Sequence, residues 1–255
     1  MPPAEIFIVR HGERVDHKDP SFSKTFPRPH DPPLTEDGKD MAVQLGRHLR
    51  EVLHVDPSNV RVATSPLLRC VQTSDGIVRG LTEQNKDAGV DIFLEPSLAE
   101  GAYWLFHDMQ KNPSVHREGF FECPQPIFRP SSYYKEEVSK YVNVNKPFQL
   151  NADPKHIVAD NQLTEEAFLD RVAKGAQGVL SDPFFADKSV VLVAHGETTQ
   201  RWFDAITGLN TDVVPPIQRG STWCATVTSG SPKVPSSKPP ISPLSRPSRN
   251  VCVPM

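Results

Sequence analysis

Two stretches of this 255-residue chain carry the residue types of anion chemistry. In the first, the apolar run Ile6-Phe7-Ile8-Val9 leads straight into Arg10-His11-Gly12-Glu13-Arg14. In the second, Val190-Val191-Leu192-Val193 leads into Ala194-His195-Gly196-Glu197. An imidazole is both a nucleophile and a proton carrier near neutral pH. Guanidinium forks match the oxygens of phosphate or carboxylate in a bidentate way. Arg69, in Ser65-Pro66-Leu67-Leu68-Arg69, adds a third such fork. Taken singly, each is an ordinary solvated arginine or a core histidine. The repetition argues otherwise, because both histidines end an apolar run and both precede a glycine.

Short runs of isoleucine, valine and leucine are the mark of strands buried on both faces, and ligands in open α/β sheets bind just beyond the carboxyl ends of such strands. The remaining pattern supplies the rest of such a sheet. Thr35 caps a helix with Glu36 and Asp37 in its first turn, and Met41, Ala42, Leu45, Leu49, Val52 and Leu53 form its apolar stripe. Asn59 to Thr64 alternates as a strand, and Ser65 with Pro66 reads as the cap and first position of the helix bearing Arg69. Asp91 to Glu95 is a further strand, Thr164 caps a helix with Phe168, Val172, Ala176 and Val179 on one stripe, and Ser221 to Thr228 is a last strand. The fold class expected is three-layer α/β/α with a mainly parallel central sheet.

Between these elements, Asp16 to Leu34 holds prolines at 20, 27, 29, 32 and 33 and is expected to be an irregular wall of the site. Residues 101–163 carry aromatics without helical or strand period, among them Tyr103, Trp104, Phe106, Tyr133, Tyr134 and Tyr141. They are expected to form an irregular insertion over the site. They would either line a pocket for an apolar or aromatic substrate or form the core of that cap. The domain expected is 1–228. Residues 229–255 contain seven prolines, seven serines, four basic residues and no acidic one, so a disordered tail is expected there.

The motifs together resemble the histidine phosphatase superfamily, whose best-known members are the phosphoglycerate mutases. The resemblance rests on Arg10-His11-Gly12, on Pro33-Leu34-Thr35 with Gly38, and on Ser65-Pro66-Leu67-Leu68-Arg69-Cys70-Val71-Gln72-Thr73. The longer forms of these motifs look like the branch of the suppressors of T-cell-receptor signalling and the insect ecdysteroid-phosphate phosphatase. The resemblance runs from about Glu5 to about Thr228. It implies a metal-independent phosphomonoester hydrolase, without cofactor, that works through a phosphohistidine. His11 would be the nucleophile, Arg10, Arg14 and Arg69 the phosphate clamp, His195 a further donor, and Glu100 the proton donor. Glu95 and Glu197 are rival acids. Glu95 is expected to cap a turn, and Glu197 to open the next helix.

Two readings stay beside hydrolysis. The mutases carry Glu-Arg-His-Tyr-Gly where this chain has Glu100-Gly101-Ala102-Tyr103-Trp104, so a mutase-type phosphotransferase is disfavoured. A non-catalytic phosphate-binding protein that kept the fold is the other. The resemblance implies a phosphorylated small molecule or a phosphoprotein as partner, and composition excludes others. A net charge of −3 is no footprint for nucleic acid or an anionic membrane surface, and no apolar run approaches the ~20 residues of a membrane span. Pro240-Ile241-Ser242-Pro243 matches the PxxP pattern of an SH3-type contact, and a homodimer remains open. Cys70, Cys123, Cys224 and Cys252 are too scattered for a zinc site or a CxxC redox pair. Free thiols and a cytoplasmic location are therefore expected.

Overall fold

The computed structural model describes residues 1–19, 21–22, 31–85, 88–101, 129, 131–144 and 164–208, and the backbone of 224–228. Most of the expected insertion and the whole tail lie outside these residues.

Ile6 to Val9 lie within β1 (Glu5–Arg10), and all four are buried. The two faces of the strand feed two cores. Phe7 and Val9 pack with Leu45, Leu49, Ile77 and Leu81, whereas Ile6 and Ile8 pack with Phe168, Val172, Trp202 and Ile206. The first set comes from α1 (Glu36–Glu51) and α2 (Leu68–Thr82). The second comes from α3 (Glu165–Ser181) and α4 (Gly196–Thr207). Helices therefore cover both sides of the sheet, and strands with no polar face are the result. The other strands are β2 (Val60–Thr64), β3 (Ile92–Leu94), β4 (Ser189–Ala194) and β5 (Cys224–Thr228). Their order is β3-β2-β4-β1-β5, with β5 antiparallel to β1 and the other pairings parallel.

That order positions the site. The chain passes from β1 to β2 and leaves a gap that β4 fills on its return. Arg10 then pairs in register with Ala194, so the residues that follow, His11 and His195, leave neighbouring strands at one level. The ladder continues past the strand ends, where His11 N–H donates to Ala194 O (3.0 Å) and Ser65 N–H to Val193 O (2.9 Å).

Thr35 caps α1 as expected, its Oγ1 accepting from Gly38 N at 2.9 Å. Other expectations need correction. Val52 is exposed, because α1 ends at Glu51 and its stripe stops there. A helical turn, Val15–Lys18, forms before the first proline of the irregular segment. Ser65 and Pro66 do not begin α2, which starts at Leu68 and takes its cap from elsewhere. The α1–α2 contact also rests on residues that hydrophobic periodicity does not flag. A Cβ on Gly46 would meet the Ile77 carbonyl, and one on Gly80 the Val43 carbonyl, so the two backbones touch through glycine. Tyr134 is buried and its hydroxyl donates to Pro66 O, while Tyr133 and Tyr141 pack against the α1–α2 core. These three tyrosines are core rather than pocket lining. The other aromatics expected over the site lie outside the described residues. No helix among the described residues is long and apolar enough to cross a membrane.

Candidate active site

His11 is 5% exposed and lies beyond the end of β1. Its Nδ1 is 2.8 Å from Gly12 O, and a carbonyl can only accept. Nδ1 therefore carries the proton, and Nε2 keeps its lone pair. Burial holds the ring well below the ordinary imidazole pKa near 6.5, and the Arg69, Arg14 and Arg10 cations push the same way against the Gly12 carbonyl. The loop beyond is fixed by the motif residues. Gly12 N–H donates to Thr73 Oγ1 (3.0 Å), Thr35 Oγ1 to Glu13 Oε2 (2.9 Å), and Leu34 N–H to Gln72 Oε1 (2.8 Å). A Cβ on Gly12 would lie 2.8 Å from Gly38 O. Glycine is thus needed here to let the loop sit on the start of α1, a closer reason than approach to a ligand.

His195 is fully buried, with its ring 5.4 Å from that of His11. Arg69 Nη2 donates to its Nδ1 at 3.1 Å. Nδ1 must then accept, and Nε2–H donates to Ser65 Oγ at 2.8 Å. Burial, with Arg69 next in weight, holds this ring neutral as well. The same Arg69 Nη2 lies 2.6 Å from Glu100 Oε2. Arg69 is 1% exposed and the Glu100 side chain 30%, so the carboxylate reaches in from the rim. Glu100 Oε2 is 3.8 Å from His195 Nδ1, but with the ring neutral this is proximity and not an ion pair.

Arg10 ends β1, and its Nε lies 3.4 Å from where a Cβ on Gly196 would stand. Arg14 is tied to Asp16 through Nε to Oδ1 (2.9 Å) and Nη2 to Oδ2 (2.5 Å). Burial opposes charge on both, yet the pairing wins, so Arg14 is raised and Asp16 lowered. All six expected residues are therefore gathered at one sheet edge, with Arg14 held by a carboxylate that the sequence did not single out. Glu95 is buried, and its carboxylate accepts from Ser97 N at 2.7 Å to cap the turn Pro96–Leu98. Glu197 stands in the first turn of α4, within 4.0 Å of Arg201 Nε. Cys70 Sγ is 3.5 Å from His195 Nε2, but burial pushes this thiol up to about 12, so it is no nucleophile at neutral pH.

The cap of α2 comes from the irregular segment. Asp31 is fully buried and its Oδ1 accepts from Leu68 N at 2.7 Å. Ser65, which spacing would make the cap, is engaged chiefly with His195 at 2.8 Å and accepts only a long contact from Leu67 N at 3.4 Å, ahead of the first helical residue. Nothing in local pattern separates a serine that caps from one that orients a histidine.

The model for the histidine phosphatase superfamily (branch 1) matches residues 6–120, which include Arg10, His11, Arg14, Arg69 and Glu100. Residues 6–120 are therefore similar to the histidine phosphatase superfamily. The ecdysteroid-phosphate phosphatase of Drosophila melanogaster is 33% identical over 39% of this chain and 16% of that protein, so the match spans under a fifth of the relative's length. The fold is similar to the ecdysone phosphate phosphatase of Bombix mori, crystallised with tungstate, at a TM-score of 0.58 and 22% identity over 94% of this chain and 97% of that one. It is also similar to phosphoglycerate mutase from Bacillus anthracis, at a TM-score of 0.50 and 15% identity over 92% and 93%. The sheet is phosphoglycerate mutase-like, with the two histidines side by side at its edge.

Proposed function

We propose that the protein hydrolyses phosphomonoesters through a phosphohistidine on His11. The observation that carries this is the tautomer of His11: Nδ1–H is spent on Gly12 O, and a neutral Nε2 lone pair is left beside Arg10, Arg14 and Arg69. Nε2 attacks phosphorus in line, and the bond from phosphorus to the ester oxygen breaks. Arginine forks hold the equatorial oxygens as charge spreads over them, which is most of what phosphoryl transfer requires. With phosphate bound, Glu100 leaves Arg69, takes up a proton from solvent and gives it to the leaving oxygen. Water then attacks the phosphohistidine, Glu100 takes the water's proton, and orthophosphate departs. When Arg69 turns to the phosphate, Ser65 can donate to His195 Nε2, and the ring proton then sits on Nδ1, facing the anion.

Hydrolysis is favoured over mutase transfer because Gly101 follows Glu100 where the mutases have arginine. For the substrate we favour an apolar or aromatic phosphate ester, phosphotyrosine included. The name of the Drosophila melanogaster relative supports that class. His11→Ala should abolish turnover of p-nitrophenyl phosphate in a folded protein. An alkaline quench with labelled substrate should leave phosphate on His11 of the wild type. Full activity in the variant, or label on a cysteine, would overturn the mechanism. Phosphotyrosine peptides, steroid phosphates and sugar phosphates compared at one enzyme concentration would then rank the substrate class.

A further inference from the structure

The segment that carries Glu100 has no regular structure beyond the single turn Pro96–Leu98. A proton donor on such a loop needs something to fix it, since a displacement of about 1 Å can cost on the order of 10²-fold in rate. One side chain does most of this. Arg171, in the second turn of α3, sends Nη1 to Pro96 O, Ser97 O and Ala99 O, each at 3.0 Å, and Nη2 to Glu100 O at 3.3 Å. All four acceptors belong to the five residues that end at Glu100. Burial holds this guanidinium down to about 10, with the Glu95 carboxylate working the other way. A buried cation is costly unless its donors are satisfied, and here these carbonyls satisfy them.

The surroundings point to the same loop. One turn further along α3, a Cβ on Gly175 would lie 2.7 Å from Ser97 Oγ, so the helix is pressed against the segment. From α4, Thr198 Oγ1 donates to Ala99 O (3.3 Å) and Trp202 Nε1 to Ser97 O (3.4 Å). The carboxylate of Glu95 holds the near end of the loop through Ser97 N. The Glu100 side chain is then left to reach Arg69 from a backbone that cannot swing.

We propose that Arg171 is a positioning residue that sets Glu100 for proton donation. This rests on Glu100 being the acid, as assigned above. It makes Arg171 part of how leaving groups are discriminated, although it touches neither phosphate nor the reacting histidine.

The test compares phenyl phosphate, whose leaving oxygen needs a proton, with p-nitrophenyl phosphate, whose leaving oxygen does not. Glu100→Gln, Arg171→Gln and Arg171→Lys are assayed together. General acid catalysis contributes about 10²–10⁴-fold, so Glu100→Gln should slow phenyl phosphate by that order and p-nitrophenyl phosphate far less. Arg171→Gln should show the same bias at about tenfold or more in kcat, with KM little changed, and Arg171→Lys should recover part of it. Arg171→Gln in the Glu100→Gln background should add little for either substrate. A merely structural contribution would slow both substrates alike. Equal slowing in Arg171→Gln, beside a clear bias in Glu100→Gln, overturns the positioning role alone. No bias in Glu100→Gln overturns the acid assignment and this proposal with it. If Arg171→Gln does not fold, Thr198→Val, which deletes one donor to the same Ala99 carbonyl, must show a smaller bias of the same sign; equal rates overturn the proposal.

Discussion

Arg69 and Glu100 meet through one nitrogen, Nη2 to Oε2 at 2.6 Å, and that same nitrogen donates to His195 at 3.1 Å. Arg69, Glu100 and His195 are therefore one network. A phosphate oxygen that comes to Arg69 Nη2 competes with a carboxylate. The carboxylate then loses its cation and faces an anion instead.

This arrangement makes a binding prediction separate from turnover. Glu100→Gln should bind orthophosphate more tightly than the wild type, because the competing and repelling charge is gone. About 1.4 kcal/mol of like-charge repulsion across such a site corresponds to about tenfold in affinity. Competitive inhibition of p-nitrophenyl phosphate turnover measures it directly. Equal or weaker inhibition in the variant would mean that Glu100 moves clear of the anion.

The two histidines make a prediction about pH. Both are held below the ordinary value near 6.5, chiefly by burial and then by Arg69. The unfolded chain takes up these protons around that value, and the folded protein only at lower pH. Their contribution to stability is therefore complete above it and is lost as pH falls from there, at up to ~1.4 kcal/mol per pH unit for each ring. Urea midpoints taken at intervals from about pH 7.5 down to about pH 5.5 should fall. In His195→Gln the decline should be shallower. Identical slopes in wild type and variant would show that His195 is not buried as a neutral ring.

What could be read from the sequence follows from how each residue acts. His11 and His195 were legible because two apolar strands deliver them, and parallel pairing of β1 with β4 then does the rest. Both cores of the sheet were legible for the same reason. Gly46 and Gly80 were not, since close backbone contact depends on what a residue lacks, and only the approach of α1 to α2 reveals it. Arg171 was hidden more deeply. It lies beside Phe168 and Val172 on an amphipathic helix and looks like any arginine on a polar face until the 96–100 carbonyls converge on it. Asp16 and Asp31 sit in the proline-rich stretch, where no period marks a side chain's direction.

Asp31 supports the last prediction. Its buried carboxylate accepts from Leu68 N at 2.7 Å at the first residue of α2, and Arg69 is the second. Its other oxygen lies 3.5 Å from Arg129 Nε. A carboxylate at this end of a helix satisfies an orphan donor and also meets the positive end of the helix dipole. Asp31→Ala removes both and should lower stability by about 1–2 kcal/mol, the range of lost N-caps. Asp31→Asn keeps an oxygen for Leu68 N–H but loses the charge, so its urea midpoint should fall between the two. Because the first turn of α2 aims Arg69 at Glu100 and His195, Asp31→Ala should also lower kcat/KM for p-nitrophenyl phosphate, with Asp31→Asn again in between. Ser65→Ala provides the contrast: the Ser65 Oγ holds His195 at 2.8 Å and meets the helix start only through a long contact from Leu67 N (3.4 Å), so the variant should lower activity with less effect on the midpoint than Asp31→Ala. If Ser65→Ala destabilises the protein more than Asp31→Ala does, the cap of α2 is the serine and the role given to Asp31 is wrong.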